Sequence, residues 1–204
     1  MRPFTTTLAA AGAAAAMSGG ALLAGALPGA AASSSPPKTV TATTIKVRTG
    51  TLAVGTAVPG SKVDSHRTFI GASFGVGLAG VGEAQYPVQT GSGGLKWRTT
   101  GPALHINAAE APLVVSTVDA ATKKLQYAYG SGQVVDVTSG GGPRWRSALF
   151  DGTVMAVVPI PGRKNTLVAY VDETSATNHS LATTYQYVTR DGGQTWHLNR
   201  RFLA

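Results

Sequence analysis

Beyond residue 38, apolar and polar positions alternate in short runs separated by glycine-rich clusters. Alternation with period two over 4–8 residues marks a half-buried strand, whereas a helix needs a period near 3.6. No window of a dozen residues in this region keeps a helical period. Residues 43–49 alternate cleanly and residues 50–58 more loosely, so both are expected to be strands. Further strands are predicted at 86–89, 113–118, 125–129, 133–137, 154–158, 166–171, 184–188 and 195–202. Residues 119–123, Gly130-Ser131-Gly132 and Pro159-Ile160-Pro161-Gly162 supply the breaks between them. Asp172 and Glu173 are expected to open a loop over residues 174–180, and residues 71–80 to form a flexible turn or a glycine-rich strand. The pattern predicts an all-β, antiparallel chain.

All three tryptophans close the same eight-residue phrase, T-x-x-G-G-x-x-W, at residues 90–97, 138–145 and 189–196. Trp97, Trp145 and Trp196 are 48 and 51 residues apart, a spacing that marks one supersecondary unit used three times. A strand precedes each octamer and a returning segment follows it, so each octamer is expected to be the turn of a β-hairpin. The intervening residues leave room for four short strands per repeat. Four antiparallel strands at this period make the blade of a β-propeller. The expected architecture is therefore propeller-like, with three blades over about 61–97, 98–145 and 146–204. Residues 39–60 carry extra strands. They either form a partial fourth blade or pair with the last one. Closed propellers usually have 4–8 blades, so a further option is two chains meeting through their blade edges.

The third octamer displays the chemistry such a turn needs. Asp191 can accept hydrogen bonds from N–H groups inside the turn. Gly192 and Gly193 can take positive φ without a steric penalty. Thr189 and Thr195 suit strand ends, and Trp196 can bury its indole on the hairpin's inner face.

This octamer resembles the Asp-box, S/T-x-D-x-G-x-T-W, of the BNR repeat found in sialidases and related propellers. The third copy matches at every defined position, through Thr189, Asp191, Gly193, Thr195 and Trp196. Two copies are degenerate. They retain Thr90, Gly94 and Trp97, and Thr138, Gly142 and Trp145, but position three is Ser92 or Gly140 and position seven is Lys96 or Arg144. The resemblance implies a structural role for these residues, on the outer rim of a blade and away from any active site. Sialidases with this repeat use three arginines, a tyrosine activated by a glutamate, and an acid/base aspartate, in a funnel of six blades. None of the nine acidic residues here sits in a context matching that catalytic motif, although retaining and inverting glycosidases generally need two positioned carboxyls. Other propellers of this kind serve as assembly factors and sorting receptors.

Residues 1–32 have the layout of a secretory signal peptide: Arg2, an uncharged stretch rich in Ala, Gly and Leu, and Ala30-Ala31-Ala32 as a cleavage site. If retained, the segment would be a membrane anchor; if removed, no transmembrane span is expected. Residues 33–38 read as a linker and 39–204 as the folded domain. The Ala/Gly bias resembles that of bacterial chains from GC-rich genomes.

The chain has 17 Lys+Arg against 9 Asp+Glu, a net charge of +8. These charges are scattered and the tryptophans sit at repeat positions, so specific nucleic-acid binding is not expected. A basic surface suits weak contact with anionic wall polymers. The absence of cysteine excludes disulfides, a thiol nucleophile and Cys-ligated metal. His66, His105, His179 and His197 show no metal-binding spacing, and no cofactor loop is found: residues 71–80 lack the Lys-Ser/Thr of a phosphate-binding loop. The expectation is a secreted, non-catalytic binding or interaction module whose partner is a cell-wall glycan or a protein. A divergent sialidase-like hydrolase and an extracytoplasmic assembly factor remain as alternatives.

Overall fold

The alternating segments pair locally, because antiparallel neighbours can be joined by turns of a few residues. The structure is a computed structural model that describes residues 36–64, 67–106, 113–119, 124–173 and 183–203. The expected signal peptide, the start of the linker and the loop at 174–180 lie outside these residues. The N-terminal part supplies three very short strands, β1 (Thr39–Thr41), β2 (Thr43–Thr44) and β3 (Ala57–Val58). One 3-10 turn, Gly60–Lys62, follows.

Three four-stranded meanders come next. The first contains β4 (Thr68–Ile70), β5 (Phe74–Val81), β6 (Ala84–Thr90) and β7 (Trp97–Thr99). The second contains β8 (Leu113–Asp119), β9 (Lys124–Ser131), β10 (Val134–Thr138) and β11 (Arg146–Leu149). The third contains β12 (Thr153–Pro159), β13 (Leu167–Glu173), β14 (Thr183–Thr189) and β15 (Thr195–Leu203). All pairings are antiparallel, and the described residues contain no α-helix.

The N-terminal strands are distributed in reverse. β1 joins β15, β2 joins β11 and β3 joins β7, so each meander becomes a five-stranded sheet. The segment thus crosses from the third sheet to the second and then to the first. No separate fourth sheet forms among the described residues, which corrects the partial-blade alternative. Strand content is also lower than the alternation suggested. Residues 45–56 leave the sheets, with Gly50 at φ 82° and Gly55 at φ 90°, and with turn bonds from Thr51 N to Arg48 O and Thr56 N to Ala53 O. Asp172 and Glu173 close β13 rather than opening a loop, because they pair with Thr184 and Thr183.

The glycine-rich residues 74–81 form strand β5. Phe69 on β4 lies across Gly75, where an added Cβ would sit 2.8 Å from the ring. The glycines here make room for neighbouring side chains, not for a phosphate.

Each tryptophan is buried, with at most 1% of its surface exposed. Trp196 packs with Val135, Val137 and Phe150 of the second sheet and its flank. Trp145 packs with Val76 and Leu78 of the first sheet, and with Ile45 from the N-terminal segment. These two indoles therefore tie their own sheets to the preceding ones. Trp97 has no preceding sheet in the chain. Val58, Val63 and Leu52 cover it instead, and Phe69 meets it edge-on at 6.0 Å. Burying an indole removes about 150–250 Å² from water. At about 25 cal/mol per Å², each of these inter-sheet contacts contributes several kcal/mol at the upper bound.

Candidate functional site

Each octamer joins the third and fourth strands of its meander. The residue before the threonine always pairs with the residue after the tryptophan: Gln89 with Arg98, Val137 with Arg146, and Val188 with His197. The three turns therefore span the same ladder gap, and their differences come from the residues inside.

In the third turn, Asp191 Oδ1 accepts from the Thr189 hydroxyl at 2.7 Å, from Gln194 N at 2.9 Å and from Thr195 N at 3.0 Å. The Thr189 hydroxyl in turn accepts from Gly193 N at 3.0 Å. Gly192 and Gly193 sit at φ 73° and 86°, which exposes successive N–H groups to these oxygens. Partial burial pushes the Asp191 carboxyl up, but the bonds from Thr195, Thr189 and Gln194 outweigh it and hold the pKa below 3.8.

In the first turn, the shorter Ser92 does part of this work. Its hydroxyl accepts from Lys96 N at 3.0 Å, while Thr90 Oγ1 accepts from Gly94 N at 3.1 Å and from Ser92 N at 3.2 Å. The glycine geometry is kept, with Gly93 at φ 64° and Gly94 at φ 90°.

The second turn is different. Position three is Gly140, so no side chain reaches the turn's N–H groups. Position six is Pro143, which has no N–H to offer. Loss of the acceptor is thus accompanied by loss of one donor. The buried Thr138 hydroxyl turns to Arg144 O at 3.0 Å. Gly141 keeps φ 64°, but Gly142 leaves the left-handed region that Gly94 and Gly193 occupy. A Cβ built on Gly140 or on Gly142 would meet nothing within 4 Å.

The space left behind is a cavity of about 410 Å³ lined by Thr138, Ser139, Gly140, Gly142, Pro143, Arg144 and Arg146. Two of its lining residues carry hydroxyls and two carry guanidinium groups, and none carries a carboxylate. Among the described residues, neither arginine forms an ion pair. The arrangement can hold an anionic or polar group. It has no general acid or base.

One carboxylate elsewhere has a perturbed environment. Asp136 is fully buried in β10. Its Oδ2 accepts from His105 N at 2.6 Å and Ile106 N at 3.2 Å, which pins the chain leaving β7 against the second sheet. Burial dominates and raises its pKa above 3.8, while Ser147 on the paired strand, His105 and Ile106 pull the other way. Nothing in the residues around Asp136 distinguishes it from a surface aspartate in a strand, so sequence reasoning passes over it.

At the opposite end of the third sheet from its glycine turn, Tyr185 donates to Glu173 Oε2 at 2.6 Å, with the Arg201 guanidinium carbon 5.8 Å from the ring centroid. Burial first, then the bond and charge of Glu173, push the phenol up to about 12 against the opposing effect of Arg201. Asp172, one residue earlier, points to the other face and accepts from the Thr184 hydroxyl at 2.5 Å. The two adjacent carboxyls are therefore separated by the sheet and do not form a catalytic pair.

Among the described residues no group of three His, Asp or Glu is placed to hold a metal, and no helix is long and apolar enough to cross a membrane. No family model, curated protein or solved structure matches this chain.

Proposed function

We propose that the protein is a secreted, non-catalytic, β-propeller-like module that binds a partner, a wall glycan or a protein, outside the membrane. The carrying observation is the cavity at the second turn. It offers arginines, hydroxyls and backbone but no carboxyl, which suits recognition and not hydrolysis. The rest supports the same reading. Three repeated sheets are braced by buried tryptophans and a common N-terminal segment, the architecture expected of a rigid scaffold of BNR-type blades. The uncharged N-terminal run supports export, and the net charge of +8 supports contact with anionic surfaces.

The test is expression of the full chain in an exporting bacterium. The product outside the membrane should begin near Ser33 and retain a glycan or protein at micromolar concentration in a pull-down. A product that stays in the cytosol, or one that retains no partner, would sink the reading.

The hydrolase alternative draws on the Tyr185–Glu173–Arg201 cluster. Tyr185 as a whole is about 2% exposed and the pKa of its phenol is raised to about 12, opposite to what an activated nucleophile requires. A fluorogenic sialoside assay decides this alternative: turnover by the wild type that Tyr185→Phe abolishes would favour the enzyme.

A further inference from the structure

We propose that the second turn binds a carboxylate group carried by the ligand, held where the third turn holds its own Asp191. The proposal rests on the binding-module reading and names the site and ligand chemistry for it.

The chain supplies its own template. Both turns bridge the same ladder positions, and in the third the space inside the loop is filled by the carboxylate of Asp191, which receives two N–H groups and a hydroxyl. In the second, Gly140 removes that carboxylate and leaves open space at the position of its Cβ. Arg144 stands where Thr195 stands in the third turn, so its N–H is the counterpart of one of the two donors to Asp191. Pro143 removes the other donor. Arg144 and Arg146 both line the cavity, and their guanidinium groups can replace it with charged donors. Guanidinium groups pair with carboxylates through two parallel bonds and strengthen them with charge. The Thr138 hydroxyl, now bonded to Arg144 O, can rotate onto an incoming oxygen as Thr189 does onto Asp191. The first turn needs no such ligand, because Ser92 already accepts from Lys96 N.

The group could come from a free carboxylic acid or from a uronate unit in a glycan. The test is an NMR titration of the amide signals of the full chain with acetate, with oligogalacturonate, with the matching neutral oligosaccharide and with inorganic phosphate. The expected result is saturable shifts at residues 139–144 with acetate and oligogalacturonate. Tighter binding of the oligomer than of acetate identifies the glycan source, and equal binding per carboxylate identifies the free acid. The neutral sugar should leave these signals still, and phosphate should bind more weakly.

Gly140→Asp places a carboxylate in the cavity from within and should weaken both ligands at least about tenfold without loss of fold. Arg144→Gln should weaken them by a similar factor, about tenfold. The proposal is overturned if no shift saturates at these amides up to about 100 mM acetate. Unchanged binding by Gly140→Asp, or stronger binding of phosphate than of acetate, also overturns it. A partner retained equally by wild type and Gly140→Asp in a pull-down removes this site and leaves the binding-module reading standing.

Discussion

Gly193 of the third turn is pressed against Val137 of the second sheet: a Cβ added to the glycine would overlap Val137 Cγ1. The glycine thus serves its own turn, at φ 86°, and the contact between two sheets. Gly193→Ala meets both a strained φ and an overpacked contact, so it should cost about 2–4 kcal/mol in chemical denaturation. Gly140→Ala, at the open position of the second turn, should be neutral or stabilise by up to about 1 kcal/mol. Equal losses for the two variants would contradict the difference between the turns.

Asp191 and Asp136 should respond to acid in opposite senses. The folded pKa of Asp191 is depressed below 3.8, so its stabilisation is present above that value and is lost as pH falls through the lower folded pKa. Asp191→Asn should flatten the acid limb of a stability–pH curve below about pH 4. Because the turn faces solvent, the loss at pH 7 should be modest, about 1 kcal/mol. A curve with the same acid limb in the variant would refute the assignment.

The folded pKa of Asp136 is raised, so its contribution is most favourable below 3.8 and is lost as pH rises through the folded value. Burying the ionised form opposes folding at pH 7, whereas the N–H groups of His105 and Ile106 still need an acceptor. Asp136→Asn keeps an acceptor without the charge and should match or exceed wild-type stability at pH 7. Asp136→Ala leaves two donors unpaired and should cost about 1–3 kcal/mol. Thermal melts of the two variants at pH 4 and 7 provide the check.

The N-terminal segment should be required for solubility. Val40, Ile45 and Val58 are buried, one beside each sheet, and β1, β2 and β3 cover the edges of β15, β11 and β7. A chain starting at Pro59 would expose three strand edges together with the Trp97 face, a recognised route to aggregation. Size-exclusion chromatography should find the shortened chain aggregated; a soluble monomer with the wild-type melting temperature would show that the segment is dispensable.

Most of the strand positions could be read in advance from β8 onward, because period-two alternation and glycine-rich breaks are local properties of ten or so residues. The N-terminal segment misleads for the same reason. Residues 45–56 alternate, yet they serve as a connector that swings between sheet edges, and only the two or three residues of β1, β2 and β3 on either side find ladder partners. Strands that short carry no period to read. The cavity was likewise hidden. Gly140 and Pro143 look like simple decay of the repeated phrase. Their significance emerges when Arg144 and Arg146 are seen around the space they leave.

The order of residues alone determined the all-β class and the three hairpins that carry tryptophan. Those features depend on side-chain alternation and on the backbone freedom of glycine, which neighbours along the chain establish between themselves. Tertiary structure alone decided which sheet each N-terminal strand joins, that Trp145 and Trp196 lodge against the preceding sheet while the N-terminal segment covers Trp97, and that Asp136 is buried. Edge hydrogen bonds are chemically alike in every strand, so the reach of the connector selects among them. Burial in turn depends on which faces the assembled sheets close upon.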